Sequence, residues 1–327
     1  MSTATTSPAP AEVPPAGPGA VTPAPAGKPS GPARRRTVNP VLQVPGTALS
    51  ILSLVALCLV FHLTLVSQLR YERDQQTALA DFRGELARGT APVGQFRVDF
   101  GDGGESRERL VEPGSPVAVL SVPRIGLRTV VFEGTSASVL RSGPGHRRDT
   151  VLPGQRGTSV IMARRAAYGG PFRDLDLVLP GDTVTVTTGQ GEQAFVVTGL
   201  RRPGDPVPPV ADPAGGRLTL ITALGPEFMP TDILRVDAQL SSPVQPTPAR
   251  RFGATALPQA EQAMATDSGA WTVVMLWGQA LFLAALALAY LRGRWGSWQV
   301  WIVGTPVLLA LGLAAADQVV RLLPNLL

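Results

Sequence analysis

The sequence has 327 residues, including 35 glycines and 32 prolines, and only 16% of them are charged. That is well under the roughly 25% of an ordinary soluble domain, and mean hydropathy is positive. A chain built only of water-soluble domains is therefore excluded. The pI of 10.3 invites a nucleic-acid reading, but Lys28 is the sole lysine and the arginines are scattered among acids. With no basic helix and no aromatic-basic platform, no nucleic-acid partner is expected. One cysteine, Cys58, and two histidines, His62 and His146, leave no intrachain disulfide and no cysteine-rich metal site. Neither a metal nor a cofactor is predicted.

Residues 1–45 are rich in Pro, Ala, Gly, Ser and Thr and lack apolar periodicity, which predicts a disordered cytoplasmic tail. A first transmembrane helix is predicted at 46–69, where the run from Ala48 to Val66 holds no formal charge. A cleaved signal peptide is the rival reading, weakened by the long tail before the run. Arg34, Arg35 and Arg36 precede the run and mixed signs follow it (Arg70, Glu72, Arg73, Asp74), so the positive-inside rule places the N-terminus in the cytoplasm. Cys58 and His62 lie one turn apart in this span; without a third ligand they read as a small hydrophobe and a neutral ring.

Residues 70–114 read as an amphipathic helix, from the spacing of Leu79, Phe82 and Leu86, then a loop around Gly101–Gly104. Between 115 and 241 short β-branched runs alternate with Pro-Gly and Gly-Gly steps: VAVLSV, TVVF, TSVIMA, DTVTVTT, QAFVVTGL, RLTLIT and ILRVDAQL. The pattern predicts an all-β closed barrel, a form that removes sheet edges. A linker at 242–269 leads to two further spans, 270–291 and 298–320, which carry or border all five tryptophans. Arg292 and Arg294 mark the turn between them as cytoplasmic, so the barrel is expected outside, on a multi-pass protein of the cell membrane. Gly304, Gly312, Ala314, Ala315 and Ala316 suit close helix packing with a partner, and Asp317 with Arg321 reads as a local interfacial couple.

In order along the β region stand SVPRIGL, VFEGTS, LRSGPGH, LPGQRG, YGGPF, LPGD and RLTLIT. This series resembles the sortase family, in particular the membrane-anchored sortases of high-GC Gram-positive bacteria. The resemblance implies an eight-stranded barrel and a transpeptidase site of cysteine, histidine and arginine. In that chemistry a thiolate attacks a peptide carbonyl, an imidazole moves the protons and a guanidinium steadies the oxyanion.

Matched to those motifs, the histidine position is Arg164, the cysteine position is Ala223 and the arginine position is Ile233, with Arg235 two residues on. Alanine has no nucleophile, and an arginine stays protonated where a base is needed. Thr222 is predicted to face the other side of its strand, and His146 reads as a turn-stabilising ring. The expectation is thus a pseudoenzyme, a catalytically inactive sortase-like protein that binds or scaffolds at the cell envelope. Arg164 and Arg165, with Tyr168 and Arg235, are the candidate contacts for an envelope protein or another acidic, carboxylate-bearing partner. The alternatives are a transpeptidase or hydrolase with a relocated site, and a membrane-complex subunit whose spans carry the function.

Overall fold

The computed structural model describes residues 53–54, 56–100, 106–206, 208, 215–226, 228–267, 269–294 and 297–327. The predicted disordered tail at 1–45 and the glycine loop at 101–104 lie outside the described residues. Ten strands are seen among those described: β1 (Phe96–Phe100), β2 (Ser106–Leu110), β3 (Pro116–Val122), β4 (Leu127–Glu133), β5 (Gly145–His146), β6 (Gly157–Met162), β7 (Thr183–Thr188), β8 (Gly191–Arg201), β9 (Gly216–Leu224) and β10 (Asp232–Leu240). Strands β1 and β2 form a hairpin that the composition of 70–114 did not announce. The other eight close into a barrel in the order β10-β8-β7-β3-β4-β5-β6-β9.

Alternation explains the barrel core. Along β3, Ala118, Leu120 and Val122 point inward, and they join Val131, Ile161, Val184, Val186, Phe195, Leu218, Leu220 and Val236 in one buried cluster. Each Val, Leu, Ile or Phe side chain among them contributes on the order of 1.5–3 kcal/mol when removed from water. Most neighbours are antiparallel, but β6 runs parallel to β9 from Gly157↔Gly216 to Met162↔Ile221. That parallel pair sets the ends of β6 and β9 side by side at one mouth of the barrel.

Helix α1 (Ser67–Arg88) follows a five-residue π-turn, His62–Val66, and ends on Gly89 in the left-handed region. It is amphipathic as predicted, with Phe82 fully buried and Ala78 packed against Val130, Phe132 and Val139. It also covers an open stretch of sheet. Strand β4 meets β5 only at Phe132 and Glu133, which leaves the backbone of Val130 unpaired on that side. The Gln75 amide fills the gap: Oε1 accepts from Val130 N (2.7 Å) and Nε2 donates to Val130 O (3.2 Å) and Ser142 O (2.8 Å). A helix side chain thus does what a missing strand would do. The glycines of LRSGPGH follow from the same crowding, since a Cβ on Gly145 would lie 2.1 Å from the Gly134 carbonyl oxygen.

Two helices, α2 (Ala270–Arg294) and α3 (Ser297–Arg321), follow the barrel. Their segments Ala270–Leu288 and Trp298–Arg321 are long and apolar enough to cross a membrane. The expected third span is corrected: these two are the candidates among the described residues. Of the predicted span at 46–69, residues 46–52 and 55 lie outside the described residues.

Candidate functional site at the barrel mouth

The three positions marked by the sequence converge. Ala223 near the end of β9 stands directly opposite Ile233 on β10, and Arg164 comes two residues after β6 ends beside Ile221. Leu140, Val160, Met162, Ile221, Ala223 and Leu326 of the same chain form one buried apolar cluster, with Ile233, Ala263 and Met264 packed against it; without Leu326 the other side chains would border an apolar cleft.

Arg164 is fully buried, 0% exposed. Its Nη1 donates to the Leu327 carbonyl oxygen (3.2 Å), its Nη2 to Ala137 O (3.1 Å), and its Cζ lies 5.2 Å from the centre of the Tyr168 ring. The Nε has no acceptor. Burial pulls its pKa down to about 10, with Tyr168 opposing and Arg141 adding to the fall, so it keeps its charge at neutral pH. The expected contact of Arg164 with an acidic partner finds no open surface here, because residues 325–327 cover the guanidinium. Arg165 is mostly buried too; it reaches Asp176 (3.2 Å) and Ala223 O (3.4 Å), and its backbone N–H donates to Leu326 O (3.0 Å). Arg235 sits further along β10, in register with Ile221 and Arg201.

Tyr168 is buried with φ 53°, a left-handed conformation rare outside glycine. Gly169 beside it is required by space, since a Cβ there would lie 2.5 Å from the Tyr71 ring. This tight YGG bend aims the Tyr168 hydroxyl at His62 Nε2, 3.1 Å away. His62 also lies 3.5 Å from Asp317 Oδ1, and Asp317 takes Arg70 (2.5 Å) and Arg141 (3.0 Å). The reading of Asp317 with Arg321 as a local couple is corrected: Arg321 pairs with Asp267 at 2.8 Å. His62 is correspondingly a polar joint between the first helix, the barrel and α3. The available signal was an acid at the end of an apolar span, which rarely goes unpartnered.

The hydroxyls near the cleft are engaged elsewhere or enclosed. Thr222 donates to Ala163 O (3.0 Å) and Thr219 to Asp237 Oδ1 (2.7 Å), while the Ser159 hydroxyl is buried without a partner. His146 stabilises its turn as expected, with Nδ1 2.9 Å from Glu133 Oε2 and Nε2 2.9 Å from Val151 O. Burial alone would lower its pKa, but the Glu133 charge and hydrogen bond, the Val151 carbonyl and Asp149 outweigh it and raise the pKa overall. Among the described residues no cluster of three or more His, Cys, Asp or Glu side chains could hold a metal ion.

Residues 120–229 match a family model described as the sortase domain. Sortase D of Bacillus subtilis (strain 168) is 28% identical over 86 residues, which cover 26% of this chain and 42% of that protein. The alignment thus spans under half of this relative. Among solved structures, a Clostridium perfringens sortase D5 transpeptidase is 20% identical, with a TM-score of 0.38, 52% of this chain covered and 99% of the other. Sortase E from Streptomyces avermitilis is 35% identical, with a TM-score of 0.35, 40% of this chain covered and 91% of the other. Through this domain the chain belongs to the sortase family. The expectation that it is not an enzyme is corrected by the same match, because residues 120–229 fit a family of transpeptidases and nothing shows this member to be inactive.

Proposed function

We propose that the chain is a membrane-held sortase-family protein of the cell envelope whose barrel binds a short peptide segment in the cleft at Ala223, Ile233 and Arg164. The observation that supports this reading is the seat of Leu326: an apolar side chain enters the cleft while the N–H of Arg165 and the guanidinium of Arg164 take up the peptide's carbonyls. Backbone capture with one side-chain pocket is how an extended peptide is held in general. Such a module, fixed to its own helices through Asp317, presents its cleft at the membrane face. The test is photo-crosslinking in intact native membranes, with the reactive side chain placed at Ile233 or, as a control, at the exposed Leu179. Adducts at Ile233 that map to a defined peptide of an envelope protein are expected. No adduct, or equal adducts at both positions, overturns the binding reading.

A second reading, peptide transfer, is favoured by the family match. Its nucleophile has to come from a group other than Ala223, because a methyl side chain has no lone pair to offer. Turnover of a peptide by the purified chain, abolished by one substitution in the barrel, would establish it and identify that group.

A further inference from the structure

Residues 323–327 run as Leu-Pro-Asn-Leu-Leu, and their last three are almost fully buried against the barrel. The Asn325 side-chain amide donates to two carbonyls, Thr135 O (2.9 Å) and Gln262 O (2.8 Å), and its backbone N–H donates to Ala265 O (2.9 Å). Leu326 fills the apolar cleft beside Ala223, and Leu327 O takes the Arg164 guanidinium. Three successive residues are thus read by separate groups: a carboxamide by two acceptors, an apolar side chain by a pocket and a carbonyl by a cation. The fit is incomplete, because Asn325 Oδ1 and Arg164 Nε are both buried without a partner. Unsatisfied buried polar atoms weaken an occupant's hold.

From this geometry we infer that 323–327 is a resident plug on the peptide cleft, and that the cleft selects a ligand of the same chemistry, an asparagine followed by apolar residues. The inference rests on the binding reading above and adds the ligand class and the block in cis. Asparagine is selected over aspartate because the Thr135 and Gln262 carbonyls demand a donor, and a carboxylate there would face two oxygen atoms.

The experiment uses the full chain in detergent micelles and a fluorescent peptide of sequence Leu-Leu-Pro-Asn-Leu-Leu, with its Asp counterpart as control. Asn325→Asp should loosen the plug, so that the Asn peptide binds this variant about tenfold or more tighter than the parent, the equivalent of about 1.4 kcal/mol. The Asp peptide should bind neither. Equal affinity for parent and variant overturns the plug, and equal affinity for the two peptides overturns the selection. In case the variant fails to fold, hydrogen exchange on the parent gives an independent reading. Saturating Asn peptide should strip protection from the 325–327 amides while the Asp peptide leaves it unchanged, and protection that persists in both overturns the proposal. If neither peptide binds either protein and the Ile233 crosslinks also fail, the binding reading falls as a whole. If the crosslinks appear and only the peptide results fail, the plug alone falls.

Discussion

A guanidinium removed from water costs free energy unless its donors and its charge are satisfied. Arg164 meets two carbonyls and an aromatic face but no carboxylate side chain among the described residues. Arg164→Ala should therefore destabilise the fold by about 2–4 kcal/mol, from the cavity and the two carbonyls left without donors. Arg164→Met keeps the volume and removes the buried charge, and should cost about 1 kcal/mol or less. Denaturant unfolding of the purified chain separates these outcomes, and no loss in the alanine variant would show an arginine free in solvent. Sequence reasoning located Arg164 and Ala223 through their motif positions but could not see the burial. What covers Arg164 is a segment 163 residues away, and exposure at a strand end depends on such remote packing.

His146 offers a pH handle at the same scale. Its pKa in the fold is raised above the ordinary 6.5, so its contribution to stability is complete below about pH 6.5 and is lost as the pH climbs through the raised value. Unfolding midpoints measured across that window should fall with rising pH. In Glu133→Gln the slope should flatten, because the raising charge is gone. A slope unchanged in that variant would assign the pH effect to another group.

At the level of elements, the β-branched runs were legible because each is short, alternating and closed by Gly or Pro, and all seven appear within a residue or two of their predicted limits. Strand β5 was not, since two residues carry no periodicity and Gly145 fits beside the Gly134 carbonyl only because it has no Cβ. The small residues of α3 were legible as packing surface, but part of that surface is used within the chain: Gly304 faces Leu288 and Gly312 faces Cys58. One carboxylate, Asp317 of α3, gathers His62, Arg70 and Arg141 at the joint between helices and barrel. Asp317→Asn should cost about 1–2 kcal/mol, a modest figure because Arg70 and Arg141 keep some access to water. Hydrogen exchange should rise in 163–170, the bend that presents Tyr168 to His62, and unchanged protection there would mean that apolar packing alone fixes the bend.

For the whole molecule, the seat of 325–327 bears on topology. Barrel and plug must lie on one side of the membrane, and α2 and α3 lie between them in sequence, so both helices cross or neither does. With Arg292 and Arg294 at the C-terminal end of α2, we propose an extracytoplasmic barrel and a cytoplasmic link between α2 and α3. A reporter inserted in the exposed turn at Gly204 should therefore behave as extracytoplasmic, and one between α2 and α3 as cytoplasmic. Opposite signals at either position would reverse the assignment.

The position of the plug also has a consequence for biosynthesis. Ribosomes deliver the barrel strands first, then the two apolar helices, and residues 325–327 only afterwards. While α2 and α3 are being made, the cleft at Ala223 has no Leu326 to fill it and Arg164 has no Leu327 carbonyl. A nascent chain therefore passes through an interval in which its barrel can be complete and its mouth open. If α2 and α3 enter a bilayer, only a chain in which both have crossed returns 325–327 to the barrel's side, and closure of the cleft then reports that both crossings are made.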